Sequence, residues 1–164
     1  IHNGEAIILD TSSTALAIAA LLKNHRELTI VTNSLIVAVE MLDAPGVSVV
    51  MPGGTVRRDS ASLVGADGLE LVSQFNIQKG FFGAHGLTEA EGLTDVSAAE
   101  AKMKRPLVTM TRQVIAVLDA TKLGQVGLMS FAQIEDIDCV ITDAQAPSNM
   151  VARLREKDIE VILA

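Results

Sequence analysis

The sequence gathers its hydroxyl, carboxylate and cationic side chains into short clusters, each following an apolar run. The first is Asp10-Thr11-Ser12-Ser13-Thr14. Hydroxyls at the start of a helix lie beside N–H groups that lack a helical partner and at the positive end of the helix dipole. That is the chemistry of a phosphate cradle. The same residues equally serve as a plain N-cap through Ser12 or Ser13. Asp10 suits a sugar hydroxyl or a positioned proton, or else pairs as a strand-end carboxylate with nearby backbone N–H groups. Thr32-Asn33-Ser34 follows the second run. After the third come Pro52-Gly53-Gly54 and Thr55-Val56-Arg57-Arg58. Gly53 and Gly54 admit close approach of backbone to a ligand, or form a turn. Arg57 and Arg58 either clamp a phosphate or face water. Gly83-Ala84-His85-Gly86 follows the fourth run, and His85 reads as a hydrogen-bonded loop residue. Asp119-Ala120-Thr121-Lys122 follows the fifth, where Lys122 neutralises an anion or stays solvated. Thr142-Asp143 follows the sixth.

Ser97 and Glu100 have the spacing of a capping box, the default reading for Glu100, and Asp95 stands just before them. Ser130 and Gln133 repeat the spacing as a structural cap. Cys139 lies within an apolar run and reads as inert core. Neither GxGxxG nor a P-loop occurs, which disfavours dinucleotides and ATP.

The elements that must position these clusters follow from the apolar runs. Ala6–Leu9, Leu28–Val31, Val47–Met51, Lys79–Gly83, Val114–Leu118, Cys139–Thr142 and Glu160–Leu163 read as strands. Helices are expected at about Thr14–Lys23, Ser34–Leu42, Ala66–Gln74, Ala98–Arg112 and Ser148–Glu156, with a polar loop from Pro52 to Gly65. Strands that are apolar on both faces and alternate with helices predict an α/β fold, an open, mainly parallel sheet flanked by helices. The run Ala15–Leu22 is apolar nearly all round, so its helix is expected to be buried on more than one side. Ligands of such sheets bind outside the carboxyl ends of the strands, which would bring the clusters to one edge.

Composition narrows the function. At 164 residues the chain is sized for one domain, and 49% hydrophobic with 20% charged residues excludes disorder. Thirteen Lys and Arg against 20 Asp and Glu give a net charge of −7, which argues against holding nucleic-acid phosphates directly. With no Trp or Tyr and four Phe there is no aromatic platform for single strands. The single cysteine rules out an internal disulfide and a zinc cluster. No apolar run approaches the roughly 18 residues of a membrane helix, and no signal peptide is evident. The opening Ile1 is expected to mark a piece of a longer, soluble, cytoplasmic protein.

Taken in order and spacing, Asp10–Thr14, Thr32-Asn33-Ser34, Gly53-Gly54, Phe82-Gly83-Ala84, Gly92-Leu93-Thr94 and Leu118-Asp119-Ala120-Thr121-Lys122-Leu123-Gly124 resemble one known family. It is the carboxyl-terminal sensor domain of the DeoR family of bacterial transcriptional regulators, and the resemblance spans essentially the whole chain. It implies a Rossmann-like fold similar to ribose-5-phosphate isomerase and the coenzyme A transferases. It implies a sugar-phosphate effector, a homo-oligomer, no cofactor and no catalysis. It also implies operator DNA bound only by an amino-terminal winged helix-turn-helix outside this chain. By position, Ser12, Ser13 and Thr14 would be the phosphate cradle. Asp10, Thr32 and Asn33 would line the pocket, and Gly53, Gly54 and Arg57 would form a loop over it. Gly83, His85, Asp95, Glu100 and Lys122 would complete the far wall. His85 stands where many members and the isomerases carry an acidic residue, and the isomerases' glycine-rich phosphate loop is missing. Both departures argue against proton transfer between C1 and C2 of a sugar, which needs a positioned carboxylate. The alternative reading is a sugar-phosphate isomerase using Asp10, Asp95, Glu100 and Lys122 as acids and bases.

Overall fold

A computed structural model describes residues 1–65 and 68–164. Strands β1 (Ala6–Leu9), β2 (Leu28–Val31) and β3 (Val47–Val50) alternate with helices α1 (Ser13–Leu21) and α2 (Leu35–Glu40). A hairpin of β4 (Thr55–Arg57) and β5 (Ser62–Val64) follows, then α3 (Leu69–Val72) and β6 (Ile77–Phe82). Next come β7 (Gly86–Thr88), β8 (Gly92–Asp95), α4 (Ala98–Thr109) and β9 (Thr111–Val117). The chain then runs through β10 (Met129–Ala132), β11 (Cys139–Thr142), α5 (Ser148–Glu156) and β12 (Glu160–Leu163). Short 3-10 turns lie at Ala120–Lys122 and Ile134–Asp136.

The main sheet has seven strands in the order β12-β11-β9-β6-β1-β2-β3, and every pairing in it is parallel. The expected open parallel sheet is therefore what forms. Side chains alternate across it. Ile7 and Leu9 of β1 pack with Ile30, Phe81, Ile115 and Val117 against Ala15 and Ala19 of α1, Val37 of α2 and its C-cap Met41. Ile8 joins Val31, Phe82, Val114, Ala116 and Val140 on the other face, against Leu107 and Val108 of α4 and Val151 and Leu154 of α5. Each fully buried aliphatic side chain contributes about 1.5–3 kcal/mol relative to exposure. A small antiparallel sheet, β10-β8-β7, closes that second face through Leu87, Leu93 and Phe131. None of the described helices is long and apolar enough to cross a membrane.

Several expectations need correction. The polar stretch after Pro52 is not a loop but the antiparallel β4–β5 hairpin. Three-residue strands of Thr, Arg and Ser carry no apolar signal, and the same is true of β7 and β8. Helix α4 ends at Thr109 rather than Arg112, because Thr111 already pairs with Ile77 in the sheet. The helix expected over Ala66–Gln74 is seen at Leu69–Val72, and its first two residues lie outside the described residues. Ser130 sits in β10 rather than capping, while Gln133 starts the second 3-10 turn and its N–H donates to Asp136. Helix α1 buries one side only, through Ala15 and Ala19, and Leu21 stays 81% exposed.

Candidate functional site

The carboxyl ends of β1, β6 and β9 and the start of α1 form a narrow cleft. Ser12 is the N-cap of α1, its Oγ accepting from the Ala15 N–H at 3.1 Å. Ser13 and Thr14 are exposed in the first turn of that helix. Opposite them, β6 is followed by Gly83, where a Cβ would lie 2.4 Å from the Ser12 Cβ. Only glycine permits this approach. After β9 the chain enters the turn Ala120–Lys122, begun by Asp119, which accepts from the Thr121 N–H at 2.9 Å. Asp143, after β11, clamps that turn by accepting from Ala120 N–H at 2.7 Å and Gln145 N–H at 2.8 Å. Those backbone donors, Ala120 first, hold the Asp143 carboxyl below the usual aspartate value.

The turn delivers Lys122 to the cleft. Ser12, Ser13, Thr14, Gly83, Ala84 and Lys122 are among the residues lining it, around a volume of about 90 Å³. Lys122 is half-buried, and among the described residues no carboxylate forms an ion pair with it. A second recess of about 230 Å³ shares Thr14, Val117, Leu118 and Asp119 and extends to Thr142. There the buried Thr142 Oγ1 finds no hydrogen-bond partner among the described residues.

Asp10 stands behind the cleft, fully buried. Its oxygens accept from Ser12 N–H at 2.9 Å and Gly83 N–H at 2.8 Å, and Lys104 lies 3.0 Å from Oδ2. The same ammonium reaches Asp95 Oδ2 at 3.1 Å and the Gly83 carbonyl at 2.9 Å, and sits 5.0 Å from the centre of the Phe131 ring. Burial works to lower the Lys104 pKa, but the Asp10 and Asp95 carboxylates outweigh it and hold the group above the ordinary lysine value. Lys104 thus ties α4 to the ends of β1, β6 and β8. Reading the sequence passed over it. The signal was there: Glu100, Lys104, Leu107 and Val108 share one helical face, and that face is buried.

A second polar cluster lies under the hairpin. Glu100 is buried and accepts from the hydroxyls of Ser60 and Ser62, and from Asn33 Nδ2 at 3.5 Å. Asn33 Nδ2 also donates to the Leu63 carbonyl at 3.1 Å. Thr32 Oγ1 accepts from the Ser34 N–H, and Ser34 caps α2. Arg57 donates to Asp59 and to Ser97 Oγ, and Asp59 raises its pKa. The capping box at Ser97 is half-formed: Ser97 Oγ accepts from the Glu100 N–H, but the Ser97 N–H donates to Asp95 instead. His85 is exposed, its N–H bonded to the Thr94 carbonyl. Ser12, Ser13, Thr14, Gly83 and Lys122 therefore meet in the cleft. Asn33 and Glu100 meet beneath the hairpin, which Gly53 and Gly54 precede; Arg57 lies on the hairpin itself and reaches Ser97, and Thr32 stays at the end of β2, bonded to Ser34. Asp10 and Asp95 meet through Lys104.

A parallel α/β sheet with hydroxyls, a helix start and a lysine unpaired among the described residues at its carboxyl edge has the arrangement in which open α/β sheets take small ligands. Its fold matches ribose-5-phosphate isomerase in complex with phospho-erythronic acid, at a TM-score of 0.54, 16% identity and coverage of 75% of this chain and 48% of that one. It also matches eIF2B beta from Chaetomium thermophilum, with TM-score 0.56, 15% identity and coverage of 96% and 49%. At the level of sequence, the DeoR C terminal sensor domain matches residues 1–144, and the chain belongs to that family. It is 37% identical over 164 residues to the HTH-type transcriptional regulator GolR of Listeria innocua, covering 100% of this chain and 65% of that protein. It is 30% identical over 163 residues to the glycerol-3-phosphate regulon repressor of Escherichia coli K12, covering 99% and 65%. The HTH-type transcriptional repressor GlcR of Bacillus subtilis is 33% identical over 143 residues, covering 87% and 55%. The chain spans about two thirds or less of the length of these relatives.

Proposed function

We propose that this chain is the effector-binding domain of a transcriptional repressor of sugar metabolism. It takes a phosphorylated sugar intermediate and controls operator binding by a helix-turn-helix domain outside this chain. The observation that carries the reading is the cleft where the α1 start, the hydroxyls of Ser13 and Thr14 and Lys122, which has no ion-pair partner among the described residues, converge. An anion there gains helix N–H groups, hydroxyl donors and a cation together. The repressors to which the chain is similar support a role outside catalysis. So does the commitment of the three candidate proton-transfer carboxylates: Asp10 and Asp95 are paired with Lys104, and Glu100 is covered by the hairpin. The protein works in the cytoplasm, as a homo-oligomer.

The test is calorimetric titration with a panel of hexose, pentose and triose phosphates beside their unphosphorylated parents. At least one phosphate ester binds, its parent sugar does not, and Lys122→Ala weakens binding about tenfold or more, the equivalent of one charge-assisted hydrogen bond. Indifference to every phosphate ester would overturn the reading. Steady conversion of an aldose phosphate to its ketose would replace it with the isomerase reading.

A further inference from the structure

Glu100 is 4% exposed and takes its hydrogen bonds in an unusual pattern. The hydroxyls of Ser60 and Ser62 both donate to Oε1, and their oxygens lie 2.8 Å apart. Two hydroxyls at that spacing on one carboxylate oxygen reproduce the donors of a vicinal diol. On the other side of Glu100, Asn33 presents Nδ2 to Oε2, while its own Oδ1 is buried and accepts no hydrogen bond from any described group. A buried carbonyl oxygen without a donor is costly and marks a place where a further donor belongs.

The segment that supplies the serines carries backbone strain. Ala61, between them, holds φ at +46°, a left-handed conformation that strains a residue with a Cβ. The hairpin is bounded by Gly54 at φ +113° and Gly65 at φ +130°, backbone positions able to absorb a swing. Glu100 lies one turn of α4 from Lys104, which pairs with Asp10 at the back of the effector cleft. We propose that Glu100 and Asn33 form a diol-binding subsite beside that cleft, and that Ser60 and Ser62 occupy it as internal stand-ins. An effector with adjacent hydroxyls displaces the hairpin, donates to Glu100 and supplies the donor Asn33 Oδ1 lacks. This rests on the effector-binding reading above and names its ligand class: a phosphate ester that carries a vicinal diol. Displacement of the hairpin is also the conformational signal, because the ligand binds the open arrangement better than the closed one.

The experiment compares three probes by calorimetry: sorbitol 6-phosphate, 6-hydroxyhexyl phosphate, which has no adjacent hydroxyls, and inorganic phosphate. The proteins are wild type, Ser60→Ala, Ser60→Ala/Ser62→Ala and Glu100→Gln, with circular dichroism confirming each fold. Removing the competing hydroxyls tightens sorbitol 6-phosphate binding about tenfold in the double variant, a few-fold in Ser60→Ala, and leaves the other two probes unchanged. Glu100→Gln removes the advantage of sorbitol 6-phosphate over 6-hydroxyhexyl phosphate. Unchanged or weaker sorbitol 6-phosphate binding by folded Ser60→Ala overturns the inference. If inorganic phosphate and both esters bind with no diol advantage, the diol subsite alone fails and the phosphate cradle stands. If none of the three binds, this inference falls, and the wider sugar-phosphate panel decides the parent reading separately.

Discussion

Lys104 brings a charge into the core, and two carboxylates match it there. Replacing it by Met leaves Asp10 buried with no cation, a loss of about 3–5 kcal/mol for a broken buried pair. Urea unfolding at neutral pH will show it as a lower midpoint at unchanged slope. The sign of its pH dependence follows from the raised pKa of Lys104. The contribution is complete below the unfolded lysine value of about 10.4 and is lost only as pH rises through the higher folded value. The gap between wild type and Lys104→Met therefore stays level from about pH 7 to 9 and narrows in strong alkali. Cys139 behaves in the opposite way to a reactive thiol. Burial, with Glu160 and Asp138 adding to it, pushes its pKa up to about 11. At pH 8 a disulfide exchange reagent will label it only after denaturant unfolds the chain. Reading Cys139 as core needed nothing beyond its apolar neighbours. Lys104 was legible only as a helical spacing, because its partners are Asp10, which follows β1 far away in sequence, and Asp95 at the end of β8, outside its own helix.

At the scale of elements, the Lys122 turn depends on a clamp from the neighbouring strand. Asp143 has its pKa lowered by the Ala120 N–H first and then by the Gln145 N–H. The clamp is thus present above the unfolded aspartate value of about 3.9 and is lost as pH falls through the lower folded value. Hydrogen-exchange protection of the Ala120 and Gln145 amides will fall in acid, and Asp143→Ala will lose it already at neutral pH. Helix α2 depends on a smaller device, the Ser34 cap, whose Oγ accepts from Val37 N–H at 3.2 Å. Ser34→Ala will cost about 1 kcal/mol, measured by thermal unfolding. Caps at Ser12, Ser34 and Ser97 are local chemistry and stand in the sequence as Ser at a helix start. The β4–β5 hairpin was not legible, because its three-residue strands hold their place by reaching Asn33 and Glu100 rather than by any period of their own.

At the scale of the molecule, α1 and α2 leave an apolar stripe facing outward. Leu21 is 81% exposed, Val39 66% and Leu42 82%, with Ile36 beside them in the helical spacing. Such a stripe is characteristic of association surfaces. Light scattering of the purified chain will give a mass above one copy. The variant Val39→Lys/Leu42→Lys will dissociate it, with its circular dichroism unchanged. A wild-type chain that stays at one copy across the concentration range would sink this assignment.

The sequence by itself determined the class of fold. Continuous apolar runs separated by helical segments leave a buried parallel sheet as the arrangement that hides both strand faces. It also marked the carboxyl edge of that sheet as the place for Ser12, Ser13, Thr14, Gly83 and Lys122, because each follows a strand. Only the tertiary structure divided those polar residues by role. Asp10, Asp95 and Lys104 became a buried charge network, Glu100 went under the hairpin, and Lys122 kept its charge open to the cleft. The physical reason is that a side chain's role depends on whether a partner from a distant segment reaches it. Charge pairing and burial are decided by contacts that no local spacing encodes.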